Sequence, residues 1–285
     1  MPSDLQQTSD SIQTVEDLPV VKDARRRTLD RVLLIGGLGF VLLVLILSPG
    51  DLLDKADHVG YAVCHQISVR SYFFGDHQLP LCARCSGQYL GALFGLVLLV
   101  VLGRGKAGAL PQTGIVLMLL GFLAVWAFDG FNSYLTFFPG LPHLYEPRNI
   151  FRVTTGAMQG VALIALVWPF YNAGMWAQPS PLRSIRNWRE VGLLVLIVAA
   201  VAVLVSSQLE QLLYPLALLS VAGTVMMLTI VNTMLVTIVL RRSGTVADWR
   251  DALPLIASGL ALATIEIIAI NVFRAWMTSQ LGLPF

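Results

Sequence analysis

The chain has 285 residues, of which 56% are hydrophobic and 13% charged, about half the charged share of an average soluble domain. That balance excludes an ordinary soluble fold, because apolar runs of ~20 residues with no water beside them close their backbone hydrogen bonds internally, as membrane-spanning helices. The net charge of +2 comes without a basic stripe interleaved with aromatics, which leaves the lipid bilayer as partner and argues against nucleic acid.

Residues 1–30 are polar, carry no periodic apolar face and read as a disordered cytoplasmic tail. Apolar runs then predict an all-α polytopic bundle of about seven transmembrane helices, at about 32–49, 82–102, 114–138, 150–170, 191–208, 214–240 and 253–278. The polar stretch Ser206 to Gln211 is the weakest boundary, so six and eight spans are the alternatives. The first run follows Arg25, Arg26, Arg27 and Arg31 without a convincing small-residue cleavage site, and reads as a retained anchor.

Lys and Arg resist translocation and set the orientation. Thirteen of the nineteen fall in the tail and in alternate connections: Lys22 and the four tail arginines, Arg104 and Lys106, Arg183, Arg186 and Arg189, then Arg241, Arg242 and Arg250. The expected topology is a multi-pass plasma-membrane protein with its N-terminus in the cytoplasm. The connection from Ser48 to Leu81 is then one long extracytoplasmic loop, with helical character over Leu52 to His65 and Pro80 in the first turn of the second span. The loop at 171–190 is rich in Pro, Asn and Ser. It divides a motif-bearing membrane region, 31–170, from an accessory region of three spans, 191–285. The runs Gly36-Gly37-x-Gly39 and Gly87-x-x-x-Gly91-x-x-x-Gly95 read as faces for close helix packing.

Six of the seven Cys and His residues lie within 58–85: Cys64, Cys82, Cys85, His58, His65 and His77. Cys82 and Cys85, three apart at the start of a helix, share one face, where free N–H groups and the positive dipole end favour thiolates. Three thiolates and one imidazole would suit one zinc ion or another soft transition metal. His65 is the first choice of fourth ligand on motif grounds, although adjacent Cys64 and His65 reach one metal only under strain; His77 and His58 are the alternatives. The same thiols permit a different chemistry outside the cytosol, in which Cys64 attacks a Cys82–Cys85 disulfide. A structural staple of the loop is the third option.

Ionisable residues inside spans are candidates for function. Asp129 lies about nine residues from the outer end of span three, hence ~14 Å deep. Asn132 lies one turn further out. Span four opens with Asn149, Arg152 and Gly156 on one face beside Thr155, and Arg152 is long enough to reach Asp129. Together with His77 and Arg84 these residues form the expected polar pocket. Glu266, near the middle of span seven, suggests a proton- or ion-coupled transporter, or else pairs within the bundle, for example with Asn232.

The segments Cys64-His65-Gln66, Arg70-Ser71, Gly75 and Gln78-Leu79-Pro80-Leu81-Cys82-Ala83-Arg84-Cys85-Ser86-Gly87, with Tyr89 and Gly91, closely resemble an uncharacterised family of prokaryotic membrane proteins, the domain of unknown function twenty-eighty-five. Asp129-Gly130 and Asn149-x-x-Arg152-x-x-Thr155-Gly156 look like that family's later motifs. The likeness covers about 58–165, and its Ser86 position looks more often like Thr in such proteins. It implies a multi-pass membrane protein with a site at these residues, and it implies no reaction, substrate or oligomeric state. Glu266 lies outside it.

Overall fold

The computed structural model describes residues 19–138 and 142–281. Seven of the helices described are long and apolar enough to cross a membrane. They are α1 (Pro19–Leu47), α3 (Ala83–Val101), α4 (Thr113–Leu135), α5 (Asn149–Met175), α6 (Trp188–Ser206), α7 (Leu213–Val239) and α8 (Trp249–Leu281). A short helix, α2 (Leu52–Val63), lies in the first connection. The protein is thus an all-α polytopic membrane protein, and the weak boundary between the fifth and sixth spans is a genuine break, with Gln208 in the left-handed region at φ 52°. Residues 19–30, expected to belong to the tail, form the start of α1; the rest of that tail, 1–18, lies outside the described residues.

Among the described residues, two small sheets add to the helices. Strands β1 (Phe73–Phe74) and β2 (His77–Gln78) pair antiparallel around Gly75, whose φ of 62° the tight turn requires. Strands β3 (Ala107–Ala109) and β4 (Ser180–Arg183) pair in parallel.

The bundle is organised around α3 and α5. A Cβ on Gly91 would stand 2.6 Å from the Ala157 carbonyl oxygen, and one on Gly87 would fall on that of Val153. Reciprocally, Gly156 and Gly160 lie against the backbone of Arg84 and Gln88. Two small-residue faces therefore interlock, and the backbones come as close as helices can. Of the earlier glycine run, only Gly37 makes such a contact, with the Ala257 carbonyl oxygen 2.8 Å from where its Cβ would be; Gly36 and Gly39 face open space. Gly223 of α7 sits on the backbone of Tyr89 in α3, so the later spans pack directly on the motif-bearing helix.

The connections sort to two ends. At one end Arg104 donates to Glu190 at 3.3 Å, Asn172 donates to the Ala107 carbonyl at 3.0 Å, and Lys106 lies 4.0 Å from the Trp176 ring centre. At the other end Asn149 donates to the Ser71 carbonyl at 3.1 Å and Asn271 to that of His58 at 2.9 Å. The cysteines belong to this second end.

Candidate metal centre

Cys64 is delivered by α2. Asp51 caps that helix, accepting from Leu53 N–H at 2.8 Å and Asp54 N–H at 3.0 Å, while the Asp54 carboxylate returns to Asp51 N–H at 2.9 Å. The helix ends at Cys64, whose N–H bonds the Gly60 carbonyl at 2.9 Å. Gln66 then turns the chain at φ 50° and ties the loop shut. Its amide donates to the Pro80 carbonyl at 2.8 Å and to that of Asp57 at 3.2 Å, and its own carbonyl accepts from Gln78 at 2.9 Å. From α8, Arg274 donates to the Cys64 carbonyl at 2.9 Å and packs over the Tyr61 ring at 3.9 Å.

These ties set Cys64 against the start of α3, where Cys82 is the residue preceding the helix and Cys85 lies in its first turn. The three Sγ atoms lie within 4.8 Å of one another. The N–H groups of Cys82 and Gln66 point at the Cys64 sulfur, at 3.3 Å and 3.5 Å. Hydrogen bonds from the Cys64 and Cys85 thiols, joined by the N–H groups of Cys85 and Arg84, hold the Cys82 thiol far below its ordinary pKa. The bond to Cys82 pushes Cys64 the other way. The donor set fits a soft metal: Zn–S bonds of ~2.3 Å in a tetrahedron put the sulfurs ~3.8 Å apart.

The histidines do not join the thiols. Cys64 is extended, at φ −137° and ψ 147°, so the next side chain projects to the opposite side, and His65 is exposed. The expected fourth ligand is therefore not among the groups brought together. His77 lies 3.3 Å from the Asp57 carboxylate, outside the expected polar pocket, and His58 Nδ1 is 2.7 Å from the Asp54 carbonyl.

Asp129 is 2% exposed, and its ion-pair partner is Arg84, from the turn of α3 that carries Cys85. The expected partner, Arg152, instead donates to Asn149 at 2.8 Å and to the Ser133 hydroxyl at 3.3 Å. The Asp129 carboxylate also accepts from the Tyr145 hydroxyl at 2.6 Å and from Thr155 at 3.2 Å. Burial, and then the bond to Asp129, push the Tyr145 phenol up to about 12. Asn132 accepts from Leu144 N–H at 2.8 Å and donates to the Tyr145 carbonyl at 2.9 Å, which fixes the returning chain. Arg70 donates to the Ser133 carbonyl at 3.0 Å. Tyr145 and Ser133 escaped the sequence reading; Ser133, one turn beyond Asp129, had a helical-spacing signal, whereas Tyr145 had none. Glu266 lies elsewhere, accepting from Asn232 at 2.8 Å as the within-bundle alternative required.

An uncharacterized protein of Methanocaldococcus jannaschii is 28% identical over 109 residues, which cover 38% of this chain and 64% of that protein. The chain thus spans a little under two thirds of that relative's length. An uncharacterized protein of Methanothermobacter thermautotrophicus is 27% identical over 104 residues, covering 36% of this chain and 83% of that protein. No solved structure gives a significant match. The segment that holds all three cysteines, the Asp129 pocket and the interlocked glycines, residues 64–166, matches the family described as Predicted membrane protein (DUF2085).

Proposed function

We propose that this membrane protein binds one metal ion, zinc or another soft transition metal, on the thiolates of Cys64, Cys82 and Cys85 at the extracytoplasmic mouth of α3. The observation that carries the reading is the gathering of three sulfurs within 4.8 Å around a helix N-terminus. Three protein ligands leave one corner of a tetrahedron for an exchangeable ligand, which is the arrangement of reactive rather than purely structural metal sites. The polar pocket of Arg84, Asp129, Asn132, Asn149, Arg152 and Thr155 adjoins it through Arg84, whose backbone lies between Cys82 and Cys85. The Lys and Arg asymmetry supports a cytoplasmic N-terminus in the plasma membrane, with the thiols outside. In this reading α6 to α8 are the accessory part, bracing α3 and, through Arg274, the Cys64 loop.

The test is metal analysis of the full chain purified without chelator, with thiol titration in parallel. About one metal per chain is expected; Cys64→Ser, Cys82→Ser and Cys85→Ser each lose it, and His65→Ala and His77→Ala retain it. Metal-free protein with two thiols blocked until reduction would replace this reading with thiol–disulfide chemistry. Metal-free protein with three freely alkylated thiols would sink both.

A further inference from the structure

Three guanidinium groups converge beside the thiols. Arg70 comes from the turn Ser68–Arg70 of the long loop, Arg84 from the first turn of α3 and Arg152 from the first turn of α5. All three meet at Ser133 of α4: Arg70 donates to its carbonyl at 3.0 Å, and Arg84 and Arg152 each donate to its hydroxyl at 3.3 Å. A guanidinium stays charged in a protein, so burial cannot relieve the repulsion by neutralising it.

The counter-charge in the cluster falls short. Asp129 pairs with Arg84 and offsets one of the three positive charges. The hydrogen bonds that Arg70 and Arg152 give among the described residues all end on neutral oxygens: the Ser133 carbonyl and the Thr136 hydroxyl for Arg70, the Ser133 hydroxyl and the Asn149 amide oxygen for Arg152. Arg152 is 6% exposed, so water screens it little. Burial and the Arg84 charge both push the Arg70 guanidinium down, the direction expected of cations crowded together. A divalent ion on three thiolates would add one net negative charge nearby and still leave a positive excess. Two long helices, α3 and α5, also start here and point their positive dipole ends at the same end of the bundle.

We propose that Arg70, Arg84 and Arg152 form a binding site for a phosphate group, supplied either by a free phosphate or phosphate ester or by a lipid headgroup. A phosphate carries the one to two negative charges that the cluster lacks and offers several acceptor oxygens to guanidinium forks arriving from three elements. Asp129 then serves as the fixed counter-charge that aims Arg84, leaving Arg70 and Arg152 to receive the ligand. The proposal stands on the arginine geometry and does not need the thiols to hold a metal.

The experiment uses the delipidated full chain and reads thermal stability at constant ionic strength, with chloride as reference anion. One arm titrates inorganic phosphate. The other titrates a short-chain phosphatidic acid in mixed micelles against a short-chain diacylglycerol, which lacks the phosphate. A saturable rise in Tm is expected in at least one arm. Arg70→Gln and Arg152→Gln should each weaken the apparent affinity by about tenfold to a hundredfold, while Arg148→Gln, which removes an exposed arginine from the same end, leaves it unchanged. Arg70→Lys keeps the charge but loses the fork, and should fold normally with an intermediate affinity. A response to inorganic phosphate with this pattern identifies a free anion, and a response to phosphatidic acid alone, with the same pattern, identifies a headgroup. No saturable rise in either arm, or equal losses in Arg70→Gln and Arg148→Gln, would overturn the proposal. Metal content measured on the same samples separates such a failure from a failure of the metal reading.

Discussion

Replacing Asp129 by Asn removes the only carboxylate that Arg84 is paired with among the described residues and leaves a cation held at the membrane's edge. Breaking a buried ion pair by deleting one partner costs about 3–5 kcal/mol. Asp129 is 2% exposed, but the Arg84 side chain is 18% exposed and retains some hydration, which places the expected loss near the lower bound, about 3 kcal/mol. Asn keeps one oxygen for Tyr145 or Thr155, so those two bonds are not both lost. Arg84→Gln alone strands the carboxylate instead and should cost a similar amount. In the double variant neither charge is stranded, and the two changes should fall short of their sum by about 1–3 kcal/mol. The assay is reversible unfolding in mixed detergent micelles, followed by helix content. The same cycle with Arg152→Gln is the control: Arg152 bonds Ser133 and Asn149 rather than the carboxylate, so its coupling to Asp129 should stay below about 1 kcal/mol. Additivity for Asp129 with Arg84, together with strong coupling to Arg152, would refute the pairing.

Gly160→Ala puts a methyl group on the Gln88 carbonyl and must push α3 and α5 apart, at a cost of about 1–3 kcal/mol, whereas Gly174→Ala on the same helix meets nothing within 4 Å and should be neutral or slightly stabilising. Equal effects in a thermal-shift comparison would contradict the interlocked packing. The Tyr145 phenol is raised to about 12 by burial and by its bond to Asp129. Its contribution is therefore fully present below the unfolded pKa of about 10 and lost as pH rises through about 12, so Tyr145→Phe should flatten the decline of stability in that window. An unchanged decline would show that the phenol is not the group responsible. For topology, a reporter that works only in the cytoplasm should be active after Lys106 and Arg186 and silent at Asp76; activity at Asp76 would place the thiols inside.

The spans were legible in the sequence because apolar run length is a one-dimensional property that hydrocarbon thickness enforces directly. Their ends were less so: α5 continues to Met175 and α8 starts at Trp249, since a helix can extend past the apolar run into polar surroundings. The glycine spacing of α3 announced close packing, but its mate, Gly156 and Gly160, emerges only from the rotation of α5. The three cysteines were legible as one cluster. His65 was not separable from them in sequence, because adjacency hides the extended backbone at Cys64 that turns the next side chain away. The choice of Arg84 over Arg152 for Asp129 also depended on three dimensions. Asn149, one turn before Arg152, offers that guanidinium a local acceptor, while the close approach of α3 brings Arg84 to the carboxylate. Tyr145 reaches Asp129 from a connection without periodicity, where no pattern could single it out.

The central claim is that Cys64, Cys82 and Cys85 hold one metal ion with a fourth, exchangeable ligand. X-ray absorption at the metal edge of the purified full chain tests it most directly. About three sulfur neighbours at ~2.3 Å and one lighter oxygen or nitrogen neighbour are expected, with the spectrum unaltered by His65→Ala. A spectrum without sulfur neighbours, or a first shell that loses a nitrogen in His65→Ala, would contradict it.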